Sequence, residues 1–319
     1  MTSLSPARQV IFHQMLVAAR RTVLMDALSE ALSGVDPAVT KEQIVKYVPS
    51  DVQRILAASG IRDEHVFPVP AILELKPTLV GYYRLLLGIS QKRFYRAGSG
   101  MSGVKGMEMR GVVAAKNPPD LDRFCSVMTE HLAELVRQIS PTISARDVSD
   151  LPLLTLGAQL YGSNNNAIGK RATLDVFLAI GEIVGPYIVS KEVNRFILRN
   201  ASIRKVLVSL SADPDIRVQE EFGKKLRNIT AIEIKGGTDV SNAHNRAGEA
   251  EKSHRKAKRQ DFRDYWTMIS LAGVDKSLLE QESPTTNSWF DVAQVLARKG
   301  PDWDEFRSRF AGAVGIPGR

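Results

Sequence analysis

The sequence predicts a mixed α+β fold in which a largely helical N-terminal region precedes a core whose elements run α-β-β-β-α-β. Three observations point that way. The first 150 residues hold long stretches with apolar side chains at helical spacing, separated by Pro, Gly and Asp clusters. Residues 205–235 change to short runs rich in β-branched and apolar residues, with polar or Gly-containing connections that suit a meander. A long polar stretch then leads into one more β-rich run.

Taken in order, the helix candidates of the first region are 7–32, 41–47, 50–58, 79–95 and 121–139. The stretch 141–150 is a plausible boundary, so the expected organisation is a helical region over 1–150, a core over 151–275 and a helical extension over 276–319. The core opens with a helix over 167–186, where Ala172, Val176, Leu178, Ala179, Ile183 and Val184 give an apolar face. Strand candidates follow at 205–211, 215–222 and 228–235, then a helix at about 240–260 and a strand at 265–271. No internal repeat is visible.

The densest chemistry lies in 211–237, SADPDIRVQEEFGKKLRNITAIEIKGG. Side chains two apart on a strand share a face. Glu233 and Lys235 therefore project together, with Ile232 and Ile234 turned the other way and available for burial. On 215–222, Asp215, Arg217, Gln219 and Glu221 form one row, and pairing the two strands would bring Asp215 beside Glu233. Two carboxylates and an ammonium on one patch suit Mg²⁺, which prefers oxygen ligands and is held by one or two carboxylates plus substrate phosphate. Lys235 could orient a metal-bound water or, if desolvated, lose its proton. A bare E-x-K is usually a solvated strand face. The upstream Pro214-Asp215 and the order of elements argue against that here. Asp213 is a second candidate for the first acid, to be decided by strand register.

That order of elements resembles the PD-(D/E)xK nuclease superfamily. The stretches IEIKGGTDVSNAHNRAGEAEKSHRKAK (232–258), LVGYYRLLLGISQKRFY (79–95) and ESPTTN (282–287) look like Type II restriction endonucleases of the XcyI family. The resemblance implies a restriction-endonuclease-like core and Mg²⁺-dependent cleavage of double-stranded DNA at a short palindrome, CCCGGG for that family, leaving 5′-phosphate ends. It carries over Asp215 and Glu233 as metal ligands and catalytic acids, and Lys235 as the catalytic lysine. It further implies a homodimer, since a palindrome has a twofold axis, and a cognate DNA methyltransferase as a genetic partner. Mn²⁺ is an expected substitute for Mg²⁺. A repair or structure-specific nuclease with the same core, and a basic DNA-binding protein without catalysis, are the alternatives.

The helix candidate after Lys235 is basic. From Arg246 to Arg263, seven bases against three acids leave +4, half of the chain's formal +8. Beside a metal cluster such a helix would attract the phosphate backbone, with Arg246, Lys252 and Lys256 as contacts, and the Gly236 loop (236–242) could approach the duplex closely. On charge alone, intrahelical pairs such as Glu249 with Lys252 and Glu251 with Arg255 are the plainer explanation, but the helix's position directly after Lys235 favours the phosphate contact. Lys92 and Arg93, in SQKRFYR, are weaker DNA-contact candidates. His244 and His254 have no cysteine partners and read as polar surface or phosphate contacts.

At 319 residues with 44% hydrophobic and 24% charged residues, the chain has the composition of an ordinary globular protein. A formal charge of +8 suits a polyanionic partner. No apolar run reaches bilayer length and no secretory h-region opens the chain, so a cytoplasmic protein without a membrane partner is expected. One cysteine, Cys125, excludes an internal disulfide framework and reads as a buried helix residue. Three other motifs fail on context. Gly98 to Gly103 matches G-x-G-x-x-G but follows a helix; Gly162 to Lys170 has the wrong spacing for a Walker loop; Glu74-Leu75-Lys76 is followed at once by Pro77. Glu182 is an outside candidate for a further metal-shell carboxylate.

Overall fold

The computed structural model describes residues 6–116, 118–223, 225–236, 243–271 and 273–318. It is a mixed α+β protein that divides into two compact units, Met1–Ser163 and Asn164–Arg319.

The described residues of the first unit contain helices and no strand. They are α1 (Ala7–Val23), α2 (Met25–Gly34), α3 (Pro37–Tyr47), α4 (Ser50–Ala58), α5 (Pro70–Leu75), α6 (Val80–Leu86), α7 (Gln91–Phe94), α8 (Lys105–Arg110), α9 (Leu121–Ile139) and the first part of α10 (Ala145–Val184). Helix α9 has the predicted bounds. Its Asp120 cap accepts from the Arg123 N–H at 2.9 Å, and Leu121, Phe124, Cys125, Met128, Leu132 and Val136 are buried along one face. The expected helix 7–32 is interrupted at Leu24, where the backbone is extended (φ −118°, ψ −176°). The expected helix 79–95 breaks around Gly88, whose φ of +68° favours glycine and ends α6. Glu108 of α8 contacts both pieces: Arg84 of α6 forms a buried ion pair with it at 2.8 Å, and Gln91 and Tyr95 donate to the same carboxylate at 2.6 and 2.5 Å.

The second unit is built on a sheet of seven described strands in sequential order: β1 (Ile188–Glu192), β2 (Arg195–Arg199), β3 (Lys205–Leu210), β4 (Ile216–Phe222), β5 (Lys225–Lys235), β6 (Asp264–Ile269) and β7 (Ser288–Asp291). Strands β1 to β5 are antiparallel neighbours, and β6 and β7 continue parallel to β5. A parallel neighbour needs a crossover. Helix α11 (Ala243–Lys258) supplies it between β5 and β6, and α12 (Lys276–Glu282) between β6 and β7; α13 (Val292–Ala297) and α14 (Pro301–Val314) follow. The predicted three-strand meander is thus β3, β4 and β5, with β1 and β2 added before it. The C-terminal stretch expected to be helical also contributes β7.

Alternation along the strands divides the sheet's two faces. On one, Phe196, Val206, Val208, Ile216, Val218, Ile232 and Ile234 are buried against Val176, Phe177, Ile180 and Val184 of α10 and Phe306 and Phe310 of α14. Phe177 stacks on Phe196 with ring centroids 4.2 Å apart. Full burial of each such side chain is worth about 1.5–3 kcal/mol, which fixes which face of β4 and β5 turns inward. The other face of β5 carries Ala231, Glu233 and Lys235 beneath α11, where Ala231 and Ala257 share a small cluster with Phe262 and Tyr265.

Candidate active site

Register brings the predicted residues together. Ile216 of β4 pairs with Ile232 of β5, so one step further along lie Asp215 and Glu233. Asp215 stands just before β4, at the end of a tight turn. The turn is held by the Ser211 N–H donating to the Asp215 carbonyl at 2.9 Å and by Arg217 Nη2 donating to the Asp213 carbonyl at 2.6 Å. The Ile234 N–H donates to Asp215 Oδ2 at 2.8 Å, a bond that ties the carboxylate to the strand bearing Glu233 and Lys235. Lys235 Nζ lies 2.9 Å from Glu233 Oε1 and 3.6 Å from Glu249 Oε2 on α11.

Helix α11 closes the site from above. Glu249, Ser253 and Lys256, spaced four and three apart, share the face over β5. Ser253 Oγ is 2.8 Å from Glu233 Oε2 and also bonds Asp213 Oδ1, while Lys256 Nζ reaches Asp213 Oδ2 at 2.6 Å. Both Asp213 oxygens are therefore engaged by α11. The opposite side of the helix is fastened by Glu251, which accepts from the Thr285 N–H at 3.0 Å, Thr285 Oγ1 at 2.9 Å and Ser283 Oγ at 3.2 Å. His254 Nε2 meets Thr267 Oγ1 at 2.8 Å.

The electrostatics follow from this packing. Burial pushes the Asp215 carboxyl up to about 6, and the neighbouring Glu233 charge adds to the rise. Burial works against the Lys235 ammonium, but the Glu233, Glu249 and Asp215 carboxylates outweigh it and move its pKa upward. Lys235 is consequently a charged donor in this state. Burial also opposes ionisation of Asp213, yet the Lys256 and Ser253 bonds hold its carboxyl below the usual range. His254 is pulled down to about 4 by burial and is neutral at pH 7.

Asp215, Glu233, Lys235, Asp213 and Lys256 thus form one constellation. Arg246 is half-buried and Lys252 exposed on α11, and Lys92 and Arg93 are exposed on α7 in the first unit. Several expectations need correction. His254 is fully buried, so it is neither polar surface nor a phosphate contact. Glu249 pairs with Lys235 where Lys252 was expected, whereas the Glu251–Arg255 pair forms at 2.7 Å. Glu182 is taken by Arg298 at 3.1 Å. Gly236 has a packing reason: a Cβ there would stand 2.3 Å from the Ala172 Cβ of α10. The rest of the expected DNA-approach loop, 237–242, lies outside the described residues. Sequence reading missed Ser253, whose signal was its spacing from Glu249 and Lys256.

Among the described residues no group of three or more His, Cys, Asp or Glu side chains is arranged to hold a metal by itself. Asp215 and Glu233 offer a two-carboxylate, oxygen-only donor set. Such a set fits a hard divalent cation that keeps water and substrate oxygens in its remaining positions, and does not fit a closed zinc site.

The model of the XcyI restriction endonuclease family matches residues 13–317. The chain belongs to that family. It is 37% identical over 315 residues to the Type II restriction enzyme Cfr9I of Citrobacter freundii, covering 98% of this chain and 96% of that protein. It is 38% identical over 318 residues to the Type II restriction enzyme XcyI of Xanthomonas campestris pv. cyanopsidis, with the same coverages. The family match extends across most of both compact units and takes in all the constellation's residues.

Proposed function

We propose that this Type II restriction endonuclease hydrolyses double-stranded DNA through a PD-(D/E)xK core, with Asp215 and Glu233 as ligands of a divalent cation and Lys235 as the lysine of the motif. The observation that carries the reading is the convergence of those three side chains at the mouth of β4 and β5, tied by the Ile234 N–H to Asp215 bond at 2.8 Å and the Lys235–Glu233 pair at 2.9 Å. Mg²⁺ is the cation the donor set suits, with Mn²⁺ as a substitute. Bound there, it supplies Lewis-acid stabilisation of the phosphoryl oxygens and a more acidic water.

The chain's own residues do the rest. Asp215 is the first acid in preference to Asp213, because the Lys256 ammonium already holds Asp213 while the Ile234 N–H ties Asp215 to the strand that bears Glu233. Lys235, kept charged by its carboxylate neighbours, donates hydrogen bonds toward the scissile phosphate and orients the attacking water. The exposed bases of α11, Lys252 and Lys256 with Arg246 beside them, draw in the backbone without reading sequence. Lys92 and Arg93 are assigned to DNA contact, and the helical region 1–150 to recognition or dimerisation. The expected products are 5′-phosphate and 3′-hydroxyl ends at CCCGGG, cut by a homodimer whose twofold matches the palindrome. A methyltransferase protecting the same site in the cytoplasm completes the system.

Digestion of unmethylated linear DNA with Mg²⁺, followed by sequencing of the ends, tests this. Discrete fragments ending within CCCGGG are expected. Cutting only at junctions or flaps would replace the reading with a structure-specific nuclease. Salt-sensitive binding with no cleavage in Mg²⁺ or Mn²⁺ would make the chain a non-catalytic DNA binder.

A further inference from the structure

Glu233 has to present its carboxylate in one orientation to serve as a ligand, and a glutamate is free to rotate about its last torsion unless both oxygens are held. Lys235 holds Oε1 at 2.9 Å. The donor to Oε2 is Ser253 Oγ at 2.8 Å, from a side chain that is only 6% exposed. A serine hydroxyl has one proton to give, and Ser253 faces two carboxylates, Glu233 and Asp213. Asp213 has a second donor in Lys256 at 2.6 Å. Lys256 holds the other Asp213 oxygen, Oδ2, so Asp213 keeps a charged donor when the Ser253 proton turns to Glu233.

The helix that delivers Ser253 is fixed on both flanks of that residue. Glu251, two residues before it, is bonded to Ser283 and Thr285, and His254, the next residue, to Thr267. Thr267 is itself the β6 partner of Glu233 in the sheet register. The serine hydroxyl is thus held by the same framework that holds the acid it contacts.

We infer that Ser253 is a positioning residue for the cleavage reaction: its hydroxyl and the Lys235 ammonium together set the plane of the Glu233 carboxylate, and so the affinity of the site for its cation. The inference rests on the reading of Glu233 as a metal ligand. Hydrogen-bonding partners of metal ligands are worth roughly 10–100-fold in metal affinity when removed, and that is the expected size of the effect here.

The test compares wild type, Ser253→Ala, Ser253→Thr and Glu233→Ala as full-length proteins. Mn²⁺ binding is followed without DNA by electron paramagnetic resonance, and the Mg²⁺ dependence of cleavage, the KM for DNA and the thermal midpoint are measured alongside. Ser253→Ala is expected to weaken Mn²⁺ binding about 10–100-fold and raise the Mg²⁺ needed for half-maximal cleavage by the same factor. Its KM for DNA should stay at the wild-type value, and Ser253→Thr, which keeps the hydroxyl, should recover most of the loss. Wild-type Mn²⁺ affinity in Ser253→Ala overturns the inference, and so does a fall in thermal midpoint with no change in Mn²⁺ binding. If the added methyl of Ser253→Thr disturbs folding, the alanine variant decides alone. Glu233→Ala separates the two layers. If it too binds Mn²⁺ and cleaves as wild type, the metal-ligand reading fails; if it loses both while Ser253→Ala keeps them, only the role of Ser253 fails.

Discussion

Gly236 lies directly after Lys235, and its replacement by alanine would test how tightly the site depends on the layer behind it. A Cβ built at Gly236 falls 2.3 Å from the Ala172 Cβ, with Ile168 O at 3.6 Å and Gly169 Cα at 3.7 Å. Non-bonded carbons settle at about 3.5–4.0 Å, so the end of β5 and helix α10 must separate by more than about 1 Å. Neither atom sits on a flexible side chain, and the backbone has to move. Overpacking of this kind costs about 1–3 kcal/mol, and a displacement near 1 Å at reacting groups lowers rates by about 100-fold. Gly236→Ala is therefore expected to lose about 1–3 kcal/mol in urea unfolding and on the order of 100-fold in cleavage rate. The decisive variant is the double replacement Ala172→Gly with Gly236→Ala. It returns the missing space at a helix cost of about 1 kcal/mol, and should regain most of the cleavage rate while staying somewhat less stable than wild type. Wild-type cleavage by Gly236→Ala, or a double variant no more active than the single one, would refute the close approach and its link to Lys235.

Asp215, raised to about 6 by burial and the Glu233 charge, must lose its proton before it can serve as a ligand. Mn²⁺ affinity of the DNA-free enzyme should therefore fall about 10-fold from pH 7 to pH 5, since roughly nine-tenths of a group with that pKa is protonated at the lower value; calorimetry showing equal affinity at both would contradict the assignment. His254 has a folded-state value lowered from 6.5 to about 4, so its contribution to stability is present above pH 6.5 and is lost as pH falls toward 4. The loss amounts to about 3 kcal/mol, and denaturant midpoints at pH 7 and pH 4 should show it shrinking in His254→Gln. Glu251→Ala removes the acceptor of the half-buried Thr285 N–H and of the Ser283 and Thr285 hydroxyls, at a cost of about 1–3 kcal/mol. Urea unfolding reads that cost directly, and a change under about 0.5 kcal/mol, the level of an ordinary surface substitution, would show that α11 is not fastened there.

The chemistry-bearing strands were the most legible part of the fold. In β4 and β5 the alternation of Ile216, Val218, Ile232 and Ile234 against Asp215, Glu233 and Lys235 follows from one face being buried, and a period of two leaves little choice of register. Helix α9 was equally clear because its apolar stripe is wide and its cap is an aspartate. The first two strands escaped because most of β1 is exposed and its sequence, Ile-Val-Ser-Lys-Glu, offers no buried face to read. Strand β7 has only four residues, all buried, too short for any period. Helix α10 carries Pro152 and a polar middle that disguise its 40-residue length. The misplacing of His254 and the missing of Ser253 on α11 have a different cause. Its inward face is lined by Ala243, Ala247, Ala250 and Ala257 with Ser253 and His254 among them, so a helix lying close on the sheet has the hydropathy of a solvated one. Ser253 and His254 became visible only through what they touch.

If Asp215, Glu233 and Lys235 act as one catalytic unit, Lys235→Ala must stop cleavage. Single-turnover cutting of a plasmid carrying CCCGGG is measured in Mg²⁺, with DNA affinity measured separately in Ca²⁺. A loss of at least about 100–1,000-fold in cutting rate with unchanged binding is the predicted result, the scale expected when a transition-state donor is removed. Cutting at the wild-type rate would contradict the account.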